Sequence, residues 1–216
     1  FASGTGWRTF DVTDFVHLLN DSVELRAFYG GWSSGFSVTL DFDFIEGIPP
    51  RDIISIENLY QGSWSYTNAN DFNSNYLPVK QVSLDANTKG AKLRMTPTGH
   101  GFDNDLYAAE FYPVNYKLKL NGTQTHQQLV WRDDCGDNPI YPKDETSGAG
   151  YSHTWLYDRA NWCPGLRAWT YEHEITSSIT AGSNVDVNIE FDDYNWSGTQ
   201  TPSYIIQSQL VQYGDI

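Results

Sequence analysis

Val185-Asp-Val-Asn-Ile-Glu-Phe191 alternates without a fault. Val185, Val187, Ile189 and Phe191 share one face, and Asp186, Asn188 and Glu190 the other. A period of two over seven residues is the mark of a strand with one face buried and one face wet. Phe36-Ser-Val-Thr-Leu-Asp-Phe-Asp-Phe44 repeats the pattern, with Phe36, Val38, Leu40, Phe42 and Phe44 on one side. Trp169, Tyr171, His173 and Ile175 give it a third time. Shorter strand candidates are Val23–Phe28, Asp52–Leu59, Lys92–Thr96, Tyr116–Leu120, Gln127–Trp131 and Tyr204–Val211. Asn121-Gly122 lies between two of them and is a type I′ hairpin signal. Turn residues recur about every ten positions, as in a sandwich or barrel. The one helical suggestion is Thr13–Leu19, where Thr13 or Asp14 could cap a turn or two. The expectation is an all-β, antiparallel sandwich.

Two segments lack a period, 62–76 and 133–162, and both read as loops on a β scaffold. Gly47-Ile-Pro-Pro50 reads as a linker. The 216 residues fit one large domain or a domain and a fraction. Asp and Glu number 27 against 13 Lys and Arg, a formal charge of −14. Such a surface repels phosphate backbones, so nucleic acid and anionic membranes are poor partners. No run approaches the ~18 apolar residues of a membrane helix. The chain opens on Phe1 with no basic-then-apolar leader, so a processed product or a fragment is expected.

Cys135 and Cys163 allow a single pairing, a bridge worth about 3–4 kcal/mol on the chain-entropy account. The alternative is two buried thiols in a reducing compartment. Sparse lysine and three sequons, at Asn20, Asn121 and Asn195, favour a secreted, disulfide-bonded chain. Sequons also arise by chance about this often in an Asn-rich chain.

Several stretches resemble the bacterial peptide-N-glycosidase F family. Asp11-Val-Thr-Asp-Phe15, Val23-Glu-Leu-Arg26, Trp32 and Val38-Thr-Leu-Asp-Phe-Asp43 look like the end of that family's first domain. Leu93-Arg94, Ala109-Glu110 and Leu129 fit its second. The most specific matches are Cys135-x-x-Asn138-Pro139 and Asp158-Arg-Ala-Asn-Trp-Cys-Pro-Gly165. The resemblance implies two eight-stranded antiparallel jelly rolls side by side. Residues 1–48 would be the last strands of an incomplete first one, and 49–216 the second. Unpaired strands at 1–48 would need an upstream segment or a neighbouring chain to cover them.

The activity it implies is hydrolysis of the amide joining asparagine to the first N-acetylglucosamine of an N-glycoprotein. The family's principal aspartate and an adjacent arginine would lie upstream of Phe1. A second carboxylate, just before Trp32, is replaced by Gly30-Gly31. A third matches Glu110, and the family arginine matches Arg159. Glu110 and Arg159 are thus the catalytic candidates, with Trp32, Trp162 and Asp158 beside the substrate. The plainer readings are a strand-end carboxylate for Glu110 and a structural ion pair, with Asp158 or a loop carbonyl, for Arg159.

No cofactor is expected. His17, His100, His126, His153 and His173 show no His-x-His spacing for copper, and two cysteines do not make a zinc site. Asp103-Asn-Asp105 and Asp133-Asp134 with Asp137-Asn138 offer oxygen ligands, but without EF-hand spacing. Trp64, Tyr66, Phe72, Tyr76, Trp155 and Tyr157 either stack on sugars or close the end of the sandwich. Three functions stay open: an amidohydrolase module that needs an upstream domain, a non-catalytic glycan- or protein-binding jelly roll, and a structural subunit of an extracellular or virion assembly.

Overall fold

The computed structural model describes residues 8–28, 37–101, 109–138, 152–193 and 196–215. Trp32, Asn195, Gly30-Gly31, Phe36 and Asp103-Asn-Asp105 lie outside them. Eight strands form: β1 (Ile53–Ser65), β2 (Lys80–Ser83), β3 (Gly90–His100), β4 (Val114–Leu120), β5 (Thr123–Val130), β6 (Tyr171–Glu174), β7 (Asn184–Phe191) and β8 (Ser203–Tyr213). One sheet has the order β1-β8-β3-β6 and the other β2-β7-β4-β5, all pairs antiparallel. Successive strands cross between the sheets except at the β4–β5 hairpin, which is the jelly-roll winding.

The alternation explains the core. On β7, Val185, Val187, Ile189 and Phe191 are buried, while Asp186, Asn188 and Glu190 are only partly so. Leu118 and Leu120 of β4 lie beside Ile189 and Val187. Across the sandwich, Leu93 of β3 registers with Leu210 of β8, both buried. Burying each such side chain is worth about 1.5–3 kcal/mol. The outer face of β4 and β7 is wet and carries ion pairs, Lys119–Glu190 at 2.5 Å and Lys117–Asp192 at 2.8 Å. Asn121 and Gly122 both have positive φ (47° and 79°), as the type I′ turn requires.

Segment 62–76, expected as a loop, holds the end of β1 and a helix, α1 (Ala69–Tyr76). Asn68 caps α1 by accepting from the Asp71 amide at 2.8 Å. Tyr66 and Phe72 from this segment are fully buried. They pack edge-on against each other at 4.8 Å and with Phe191 and Tyr204 at 5.1–6.1 Å, and close one end of the sandwich, so neither is a free sugar platform. Trp64 stacks on Tyr76 at 5.6 Å.

The described residues before β1 follow expectation only in part. Thr13–Leu18 is a 3-10 helix, held at its start by Asp11, which accepts from the Thr13 amide at 2.9 Å. Neither Thr13 nor Asp14 caps it. Asp14 instead pairs with Arg94 and, at 2.9 Å, with Lys92 on the outer face of β3. Val23–Phe28 and the described part of Phe36–Phe44 form no strand. Their apolar residues are exposed, Val38 at 51%, Leu40 at 56% and Phe44 at 68%. Alternation fixes which face a strand would bury, but a strand also needs to pair with a neighbouring edge, and among the described residues neither segment does. Among the described residues no helix is long and apolar enough to cross a membrane.

Candidate active site

The antiparallel winding sends the connections β1–β2, β3–β4, β5–β6 and β7–β8 to one end of the sandwich. There the β3–β4 and β5–β6 connections interlock. The Gly99 amide donates to Ala160 at 3.1 Å, the Ala160 amide to Glu110 at 2.9 Å, and the Glu110 amide to Gly101 at 3.1 Å. Arg132 and Arg159 exchange backbone bonds at 2.9 and 3.2 Å. Gly99 permits this approach, since a Cβ there would stand 2.2 Å from the Ala109 carbonyl oxygen and 2.6 Å from Ala160 Cβ.

On this weave Glu110 and Arg159, 49 residues apart in sequence, meet side chain to side chain. Arg159 Nη1 donates to Glu110 Oε1 at 2.8 Å. Its Nε donates to the Tyr157 carbonyl at 3.1 Å and its Nη2 to the Thr154 carbonyl. The guanidinium lies 4.7 Å from the Trp162 ring centre and 4.8 Å from that of Phe111. Aromatic faces and three acceptors are what a buried guanidinium needs to stay charged. Arg159 therefore pairs with Glu110 and with loop carbonyls, while Asp158, half-buried, makes no ion pair among the described residues.

Trp162 is fixed from two sides. Its indole N–H donates to the Gly99 carbonyl at 2.7 Å, and His100 stacks on the ring at 5.1 Å. Asn161 between Arg159 and Trp162 has φ 63°, a left-handed conformation that Asn tolerates better than most residues. Its amide donates to the Pro97 and Trp169 carbonyls, both at 2.8 Å, locking the turn.

The electrostatics match a water-poor site. Burial pushes the Glu110 carboxyl above its ordinary range, against the pull of Arg159 and the Gly101 contact. Burial also lowers Arg159, though Glu110 counters it. His100 falls to about 4 through burial and then the nearby Arg159 charge, so it is neutral at neutral pH. A carboxyl raised by burial beside a fixed cation is the equipment of general acid/base or water-positioning chemistry.

Cys135 and Cys163 are joined, with Cα atoms 5.5 Å apart, tying the start of the long connection to the Asp158–Gly165 run. Their sulfurs are therefore unavailable as zinc ligands. Of the oxygen-bearing residues noted in the sequence, Asp134 and Asn138 are engaged within the protein. Asp134 accepts two bonds from Arg132 at 2.6 and 2.7 Å, and the Asn138 amide donates to the Pro164 carbonyl at 2.9 Å. Trp155 is half-buried, and Tyr157 is exposed with its ring edge-on to Phe111 at 6.1 Å. Asn20 is exposed and donates to the His17 carbonyl at 2.8 Å. Asn121 sits at the opposite end of the sandwich from Glu110, and its side chain accepts from the Asp186 amide at 2.9 Å.

Sequence reading missed Gly99, His100 and Phe111. Phe111 follows Glu110 directly, and its chemistry is legible only once the long connection folds back over it.

The family model for peptide-N-glycosidase F, C terminal, matches residues 67–211. Peptide-N(4)-(N-acetyl-beta-D-glucosaminyl)asparagine amidase F of Elizabethkingia miricola is 27% identical over 209 residues, covering 93% of this chain and 57% of that protein. The solved structure of PNGase F, a glycosylasparaginase from Flavobacterium meningosepticum, superposes with a TM-score of 0.65 at 24% identity, over 80% of this chain and 55% of that one. PNGF-II gives a TM-score of 0.59 at 19% identity, over 79% and 31%. The two structures show a shared fold, and the chain spans little more than half the length of the curated relative.

Proposed function

Because this chain belongs to the peptide-N-glycosidase F C-terminal family, we propose that it is the second jelly roll of an amidohydrolase acting on N-glycoproteins. The bond cleaved is the amide between asparagine and the first N-acetylglucosamine. In this reading 49–216 is that domain and 1–48 belongs to a preceding one, which supplies a further acid. The observation that carries it is the partly buried Glu110 carboxyl, raised by burial and held 2.8 Å from Arg159 at the loop end.

Amide hydrolysis needs water delivered to the carbonyl carbon and a proton delivered to the departing nitrogen. Glu110 orients that water or the amide, and Arg159 fixes Glu110. Asp158 and Trp162 border the sugar, with Trp32 on the side of the preceding domain. The Cys135–Cys163 bridge supports a secreted or extracellular setting, where disulfides persist.

The test is glycan release from a denatured N-glycoprotein, by this chain alone and by this chain joined to its upstream partner domain. Each is compared with its Glu110→Gln form. The joined protein should release glycan, and Glu110→Gln should lower the rate by about 100-fold or more. Release unaffected by Glu110→Gln removes Glu110 from the chemistry, and no release by either protein retires the enzyme.

One observation favours a second reading, a non-catalytic jelly roll docked to a glycan-bearing or structural neighbour. Val38, Leu40, Phe42 and Phe44 are exposed together on an alternating stretch. Under that reading the joined protein binds its partner but releases nothing.

A further inference from the structure

β5 and β6 are the outer strands of opposite sheets, and they lie at the same open side of the sandwich. There the fold brings together His126 of β5 and His173 of β6, 47 residues apart in sequence. Their ring centres are 5.0 Å apart, with the planes tilted by 42°. His173 is buried, and His126 is half-buried and open to solvent. Neither belongs to the Glu110 site.

Each ring has one nitrogen bound to a hydroxyl. Thr125 Oγ1 donates to the Leu118 carbonyl at 3.3 Å, so it accepts from His126 Nδ1–H at 3.1 Å. That places the His126 lone pair on Nε2. His173 Nε2 lies 2.6 Å from the Tyr116 hydroxyl. When that bond runs from Nε2–H to the Tyr116 oxygen, the lone pair of His173 is on Nδ1. An imidazole with one nitrogen anchored to an oxygen and the other free is the arrangement that metal-bound histidines adopt.

The spacing has the same meaning. With Zn–N near 2.0–2.1 Å and tetrahedral angles, two imidazole centres on one zinc ion lie about 5 Å apart. We propose that His126 and His173 form a two-histidine site for a divalent late transition cation such as Zn²⁺, linking the two sheets at their open side. Solvent completes the coordination through the half-open His126 side. Tyr116 is the supporting hydroxyl that orients His173.

The experiment is thermal unfolding of the full chain at neutral pH, titrated with zinc chloride and, separately, magnesium chloride. Zinc at 100-fold over its dissociation constant should raise the midpoint by about 5 °C or more, because only the folded chain holds the two rings together. Magnesium, an oxygen-seeking ion, should leave it unchanged. His126→Ala should fold and lose the zinc shift. Tyr116→Phe should keep the site and weaken it about 10-fold or more. In proton NMR, the ring signals of His126 and His173 should move on zinc addition while those of His100 stay in place. A midpoint indifferent to zinc overturns the proposal. So does an equal shift in His126→Ala, or zinc-dependent movement confined to the other histidines.

Discussion

Trp162 donates its indole N–H to the Gly99 carbonyl at 2.7 Å, and the ring so fixed packs against the Arg159 guanidinium. A strand end, a turn and a catalytic candidate are thereby joined by one side chain. What happens at Gly99 is felt at Arg159.

Gly99→Ala should therefore be costly. The added carbon meets two pieces of structure that cannot swing aside, the Ala109 carbonyl at 2.2 Å and Ala160 Cβ at 2.6 Å. A loss of about 2 kcal/mol in urea unfolding is expected. Gly136→Ala, where a Cβ meets nothing within 4 Å, is the control and should be near neutral. Matching losses in the two variants would discard the account of the weave.

Arg159→Met removes the cation from a carboxyl whose side chain is only 13% exposed. The stranded Glu110 should cost about 3 kcal/mol or more in folding stability. Adding Glu110→Gln should recover part of it, giving a coupling energy of about 1 kcal/mol or more in a double-mutant cycle. Strict additivity would mean the pair is not coupled.

His100 gives a pH signature. Its value drops from 6.5 to about 4 on folding. The folded chain then binds fewer protons than the unfolded one, so its contribution is complete above pH 6.5 and disappears as pH falls toward 4. Glu110 slopes the other way. Its value is raised from 4.5, so its contribution is complete below that point and is lost as pH rises through the raised value. His100→Gln, which removes the first slope alone, should lose about 1–3 kcal/mol less than the parent on acidification from pH 7 to 4. Denaturant midpoints across that range decide it, and parallel curves would refute it.

Reducing Cys135–Cys163, or replacing both by Ser, opens a loop with a sequence separation of 28. About 3–4 kcal/mol should be lost on the chain-entropy account, read as a lower midpoint in dithiothreitol. An unchanged midpoint would mean that the Arg132–Asp134 pair and the Asn138–Pro164 bond hold the long connection unaided.

The sandwich was legible wherever alternation coincided with a partner. Every strand except β2 carried a period-two signal or a β-rich run, and β2 is four residues with only Val82 buried. Phe36–Phe44 alternates as cleanly as β7 and its described part still forms no strand, because period reports faces and says nothing of hydrogen-bonding edges. Helix α1 did leave a trace. Asn68 is a good cap, and Ala69, Phe72 and Tyr76 recur at helical spacing, but the Asn- and Ser-rich setting suggested a loop. Glu110 and Arg159 were named through family resemblance, and only the folded connections bring them to 2.8 Å. His100, Phe111 and the His126–His173 pair depend on contacts between segments far apart in the chain, which no local pattern records.

The Asn121-Gly122 tip faces away from the Glu110 end, on a two-residue hairpin anchored through the Asp186 backbone. A fluorophore, resin tether or polymer attached there would leave the loop end unobstructed. An immobilised form carried by that tip would still present its Glu110 end to a bulky molecule in solution.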